Sequence, residues 1–328
     1  MSKKKPNKKK NYDLNRGDFS SDDCRLFRLL IDYPLESVEF IAKTIGERDL
    51  SSFYYQINKF CKKYRCRSQI QVLNWELLGL NSFFLLTEEV FEHPYVIRQY
   101  ELLGDTSVYL TQCVAPDLRH IKDYFPEFYQ ITKTYRPTND VGLLRNEYQM
   151  ISFVDEWLLG LKEIMVEKEI GDIIYEQDLL PVKSLNITKT FLENLREIYL
   201  HDKIGRFDAR LTSQINLIKS LKGFLSIYLD LKIPKMVDYL LILNKIRNPK
   251  LFVGGFLGKF PLLELYEIPN GLICRFQIPE PHYSKFSLEL FTHMQKLCIP
   301  YLWLLLDDKR IFNLQEQYNG TEWIPFKT

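Results

Sequence analysis

Apolar positions along the first 75 residues recur mainly at helical spacing. Ser20-Ser21-Asp22-Asp23 offers N-cap groups and a negative first turn, and Leu26, Leu29 and Leu30 share one face before Tyr33-Pro34. Ser37 caps a second helix with Val38, Ile41, Ala42 and Ile45 inward and Gly46 as its stop. After the polar turn Glu47-Arg48-Asp49, a third helix runs from about Ser51 to Tyr64 on Phe53, Tyr54, Ile57, Phe60 and Cys61. Gln69 to Leu73 then alternates with period two, as a short strand does. Three short helices and a strand predict a winged helix-turn-helix over residues 19–74.

Beyond Leu78 the pattern predicts strands alternating with short helices. Strands are expected at Leu80–Thr87, Ser107–Val114 and Phe128–Tyr135, and helices at Pro94–Leu103 and Pro116–Tyr124. That is a ferredoxin-like sandwich over 75–140, one strand short. Residues 141–223 read as mainly helical, with helices at Leu144–Glu169 and Thr188–Leu200. A second ferredoxin-like sandwich is expected over 224–310. Its strands are Leu225–Lys232, Leu251–Ile268, Leu272–Ile278 and Tyr301–Leu306, and its helices Pro234–Ile246 and Ser284–Leu297. The Asn270-Gly271 pair marks a turn between two of these strands. Residues 311–328 form a C-terminal extension. Leu50–Phe60 and Leu211–Leu221 are alike in character, so 141–223 is expected to hold a degenerate second winged helix in a duplicated chain. The fold class is α+β.

Composition narrows this picture. Of 328 residues, 46% are apolar and 14% aromatic, which excludes a disordered chain. No apolar run reaches the roughly 18 residues that span a bilayer, and no membrane partner is expected. The net charge of +2 is unevenly spread. Six lysines lie within Met1–Lys10; without them 38 basic residues face 42 acidic ones. Residues 1–18 are expected to be a disordered basic tail, and with no apolar leader in it the protein is expected in the cytoplasm. The six cysteines show no CxxC spacing and the five histidines no HxxxH pair, so reduced thiols, no metal and no cofactor are expected.

The strongest candidate chemistry is basic. Lys59, Lys62, Lys63, Arg65 and Arg67 place five positive charges in nine residues, while the acids of this head lie on its first two helices and turns. Ser51, Ser52, Tyr55, Gln56 and Lys59 fall off the apolar stripe of the third helix. In the major groove of double-stranded DNA, Gln56 could pair with an adenine edge and the serines with either base edges or phosphate. Lys62, Lys63, Arg65 and Arg67 would hold phosphates. Two other features read as structural. Gly254-Gly255-Phe256-Leu257-Gly258-Lys259 lacks the first glycine and the Ser/Thr of a phosphate loop. Asp307-Asp308 reads as a solvated strand end. With no nucleophile–base arrangement and no dinucleotide glycine pattern, the chain is expected not to be an enzyme.

Ile41-Ala42-Lys43, Leu50-Ser51 at the start of the third helix, and Leu78-Gly79-Leu80 leading into the sandwich resemble the Lrp/AsnC-type (feast/famine) regulators, with an archaeal look. The resemblance spans about Asp22–Thr138, and Leu225–Asp308 by topology. It implies a sequence-specific, homodimeric transcription regulator with room for a small-molecule effector between sandwiches. Family chains have one head and one sandwich, and this chain has two sandwiches. The alternatives are a non-catalytic protein-interaction or ligand-binding module with a winged head, and an RNA-binding protein that stacks bases on Tyr228 and Phe276.

Overall fold

A computed structural model describes residues 21–33, 36–72, 74–103, 107–119, 121–125, 128–135, 186–200, 225–230, 236–246, 262–280, 283–295 and 298–327. The basic tail, the expected helix Leu144–Glu169, the 211–221 repeat and the glycine stretch 254–259 lie outside these residues.

The head consists of α1 (Ser21–Asp32), α2 (Val38–Thr44) and α3 (Leu50–Tyr64). Local chemistry sets their ends. The Phe40 amide donates to Ser37 Oγ at 3.1 Å, and the Ser52 amide donates to Asp49 Oδ1 at 3.0 Å. Gly46 takes the left-handed φ of 72° after α2, and Arg65, at φ 45°, ends α3. Leu26, Leu30, Ile41, Phe53, Ile57 and Phe60 close the core of the head, each worth about 1.5–3 kcal/mol when fully buried.

β1 (Arg67–Val72) follows, but it forms no hairpin wing of its own. It pairs antiparallel with β7 (Leu225–Asp230), from Arg67 opposite Asp230 to Val72 opposite Leu225. Leu225–Asp230 is therefore not a strand of the second sandwich, and the expected wing is completed from more than 150 residues away.

The remaining strands form one sheet. They are β2 (Asn81–Thr87), β3 (Val96–Leu103), β4 (Ser107–Ala115), β5 (Phe128–Gln130), β6 (Lys133–Tyr135), β8 (Met236–Asn244), β9 (Leu262–Ile268), β10 (Gly271–Pro279) and β11 (Ile299–Arg310), in the order β5-β2-β4-β3-β11-β8-β10-β9-β6. Numbered within each half, the strands run fourth–first–third–second twice: β5-β2-β4-β3, then β11-β8-β10-β9. Two strands change partner to join the halves. β11 pairs with β8 through Leu304 and with β3 from Leu304 onward, across an irregularity between Leu305 and Asp307. Residues 128–135 do the same: β5 pairs with β2, and β6 with β9. Between them the Ile131 amide donates to Ser82 O and the Thr132 amide to Glu267 O, both at 2.8 Å. The two sheet edges are thus one run of chain, and the sheet closes into a barrel with approximate two-fold symmetry. Across its interior the Phe84 and Tyr266 rings lie 5.1 Å apart.

Several expected elements change. Val96–Leu103 and Met236–Asn244 are strands, not helices. Both are buried on two faces, which removes the alternation that marks a half-buried strand. With β3 counted, the first half lacks no strand. The helix expected at Pro116–Tyr124 is a single turn, α4 (Ile121–Tyr124).

Outside the second half, α6 (Tyr283–Met294) packs Phe286, Leu290 and Met294 onto the barrel. The first half is covered by α5 (Lys189–Tyr199) and by the C-terminal extension, where Trp323 Nε1 donates to Leu78 O at 2.6 Å and Phe326 packs on His93. Among the described residues no helix is long and apolar enough to cross a membrane.

Candidate functional site

The residues expected to meet DNA divide on the structure. Ser51, Tyr55, Lys59 and Lys62, spaced at helical turns, share one solvent-facing side of α3, and Tyr55 is 67% exposed. Ser52 and Gln56 are half-buried, with Gln56 Nε2 3.5 Å from Ser52 Oγ. Lys63 turns to the head itself: its ammonium is 2.7 Å from Asp23 Oδ2 and lies over the Tyr64 ring. Arg65 and Arg67 are exposed beyond the helix, and Arg67 opens β1. Phe276, a candidate base-stacking residue, is fully buried in the core beside α6. The side chain of Tyr228 lies outside the described residues.

A second constellation lies inside the barrel, and no linear pattern in the sequence pointed to it. Arg98 on β3 grips Asp308 on β11 through Nε at 2.7 Å and Nη2 at 2.6 Å, and its Nη2 also reaches Glu264 Oε1 on β9 at 2.6 Å. Arg275 on β10 meets Glu264 at 3.1 Å, Asp308 at 2.8 Å and Asp238 on β8 at 3.3 Å. The hydroxyls of Tyr100 and Tyr266 donate to Glu264 Oε2 at 2.5 and 2.9 Å. The side chains of Arg98 and Arg275 are 2% exposed and that of Glu264 is 0%, while Asp308 and Asp238 reach 12% and 16%. Beyond Asp308, Arg310 ties this end of the barrel to the rest of the chain, donating to Ile70 O at 2.8 Å and Tyr199 O at 3.3 Å.

Burial disfavours charge on both inner carboxylates, yet the two arginines outweigh it. Glu264 is held at about 2, and Asp308 is held well below the usual carboxylate range. Burial pushes the Tyr100 hydroxyl well above its ordinary value, so it stays a donor. Asp238 Oδ1 is buried with no hydrogen-bond partner among the described residues, as is Trp303 Nε1 on β11. Asp308 is therefore no solvated strand end. The β11 irregularity after Leu305 turns it into the interior, a shift that a strictly alternating strand would not make.

The register sets the two halves against each other. Phe84 opposes Gln112 as Leu240 opposes Arg275, and Arg98 opposes Gln112 as Glu264 opposes Arg275. Tyr100 is crossed by Asp308 as Tyr266 is crossed by Thr134. Tyr100 and Tyr266 are thus counterparts, as are Arg98 and Glu264, Gln112 and Arg275, Ser82 and Asp238, and Thr134 and Asp308.

No family model matches the chain, and no curated protein does. Two solved structures resemble it. One is the crystal structure of the siroheme decarboxylase NirDL, at 12% identity and TM-score 0.42, covering 89% of this chain and 94% of that one. The other is NirDL in complex with an iron-uroporphyrin III analogue, at 11% identity and TM-score 0.37, covering 84% and 87%. Both are structures of an enzyme. The expectation that the chain is not an enzyme does not stand beside them. That expectation rested on missing linear motifs, and groups brought together only in space leave no such motif, as the barrel interior demonstrates.

Proposed function

We propose that the chain is a small-molecule-binding protein in which one polypeptide carries both halves of an Lrp/AsnC-like pair of ferredoxin-like sandwiches, with its binding centre at the charged end of the barrel. The observation that carries this reading is the retention of Arg98, Arg275, Glu264, Asp308 and Asp238 inside one end of an otherwise apolar barrel. Burying ions costs several kcal/mol each, and well-packed apolar residues commonly serve stability as well or better. Such a set is a mark of function. Asp238 and Asp308, the most accessible members, are the groups a ligand meets first. Both seams of the barrel close within the chain, so the sheet needs no second copy.

The test is titration of the full chain with carboxylated tetrapyrroles and, separately, with amino acids, followed by heat and absorbance. Saturable binding that Asp238→Ala weakens about tenfold, about 1.4 kcal/mol, supports the reading. No saturable binding by either class overturns it. Mass analysis of the bound ligand after incubation reports in the same experiment whether carbon dioxide is lost.

A second reading rests on a separate observation, the solvent-facing row Ser51, Tyr55, Lys59 and Lys62 on α3. It is DNA contact by the head. Lys59→Glu with Lys62→Glu is expected to weaken duplex binding and to lower the salt slope by about 0.9 for each phosphate no longer neutralised. Gln56→Ala is expected to relax preference at one base position. Unchanged affinity with an unchanged salt slope removes this reading and leaves the barrel untouched.

A further inference from the structure

The C-terminus of α3 is finished by a left-handed residue, Arg65, and the Cys66 amide returns to Cys61 O at 3.0 Å. This is the six-to-one hydrogen bond of a Schellman motif. In that motif the residue after the left-handed position packs its side chain against the one that accepts the bond. An apolar pair ordinarily fills these two places. Here both are cysteines, both only half-buried, and the two thiols are hydrogen-bonded to each other.

We propose that Cys61 and Cys66 are a reversible redox modification site, closing to an intramolecular disulfide across the end of α3. The oxidant class is a small-molecule disulfide. The Cys61 thiolate attacks one of its sulfurs, forming a mixed disulfide and releasing one thiolate. The Cys66 thiolate then attacks Cys61 Sγ, forming the protein disulfide and releasing the second. Two protein thiols are oxidised, one external disulfide is reduced to two thiols, and the two protons go to the released thiolates.

The other described cysteines set the contrast. Burial pushes the Cys113 and Cys274 thiols far up and Cys298 up to about 11, which keeps them unreactive. Cys61 moves the other way, because the Cys66 thiol beside it outweighs its partial burial. The α3 dipole opposes a thiolate at a helix C-terminus. The thiol–thiol hydrogen bond offsets that cost, and Lys62 and Arg65 stand next in the chain. Closure fixes the last turn of α3, the turn that presents Lys62.

The test uses the full chain treated with glutathione disulfide, blocked with iodoacetamide and digested with trypsin without reduction. Lys62, Lys63 and Arg65 all lie between the two cysteines, so digestion separates them unless a disulfide holds them. The expected product is Phe60-Cys61-Lys62 joined to Cys66-Arg67, two hydrogens lighter than the separate peptides and released by dithiothreitol. In Cys66→Ser the second step is lost, and Cys61 is expected to stop as the glutathione adduct. Circular dichroism matching the wild type confirms that this variant is folded. Alkylation of both cysteines after oxidation, or linkage of Cys61 to Cys24 instead, overturns the proposal.

Discussion

The two halves of the barrel share a strand order and differ in what they bury. Near the middle of the interior their counterparts are similar: Phe84 and Leu240, Tyr100 and Tyr266, Leu110 and Ile273. One layer toward the charged end they part. The first half contributes Ser82, Gln112, Thr134 and Arg98, and the second Asp238, Arg275, Asp308 and Glu264. Arg98 and Glu264 are counterparts of each other, yet they form an ion pair at 2.6 Å. A symmetric dimer cannot do this, because a residue that meets its own mate across a two-fold axis meets a like charge. The two positions can take opposite signs only when the two halves differ in sequence, as the halves of this one chain do. The pairing is a structural signature of two halves that have specialised.

The largest expected effect comes from breaking that pair. Arg98→Met leaves Glu264 and Asp308 buried with one arginine fewer and is expected to cost about 3–5 kcal/mol. Gln112→Met, at the counterpart of Arg275, loses only a neutral hydrogen bond to Ser82 and is expected to cost about 1 kcal/mol. Equal shifts of the urea midpoints for the two variants would erase the distinction between the halves. The outer covers give a smaller contrast. Leu290→Ala, on the inner face of α6, is expected to cost about 2–5 kcal/mol. Phe326→Ala, in the half-buried extension over the first half, should cost about 1–2 kcal/mol, scaled down from full burial. Thermal unfolding of both variants measures the difference.

Acid stability reads the same charged cluster in another way. Glu264 sits at about 2 in the folded protein against an ordinary 4.5, so the unfolded chain takes up its proton first as the pH falls. Its contribution is present in full above about 4.5 and is lost as the pH drops toward 2. Glu264→Gln is expected to flatten that stretch of the stability curve. A wild-type slope that persists in the variant would assign acid sensitivity elsewhere.

Legibility in the sequence followed the range of the interactions. The head was readable because its signals are local: Ser37 and Asp49 cap their helices, Gly46 stops one, and the apolar stripe repeats every three to four residues. β3 and β8 read as helices because burial on both sides erases a strand's period. The charged centre was unreadable as a motif, since its members lie up to 210 residues apart. A weaker trace did exist. Glu264, Arg275 and Asp238 are each a charge set inside a strongly apolar strand, where an ion is expensive unless something across the sheet answers it. The closure by residues 128–135 left no trace, because a two-residue step such as Ile131-Thr132 looks like any other kink.

The partner change in β11 bears on how the molecule is made. This strand lies between β3 and β8 and is the last of the sheet to leave the ribosome. Until Ile299–Arg310 emerges, the outer edges of both β3 and β8 offer unpaired backbone groups, which invite another chain to pair with them. The first half is fully synthesised by Tyr135, yet it waits through some 160 further residues for its neighbour. Growing copies held close together on one messenger are the state in which this protein is most exposed to trading strands, and β11 is the fastener that ends that exposure.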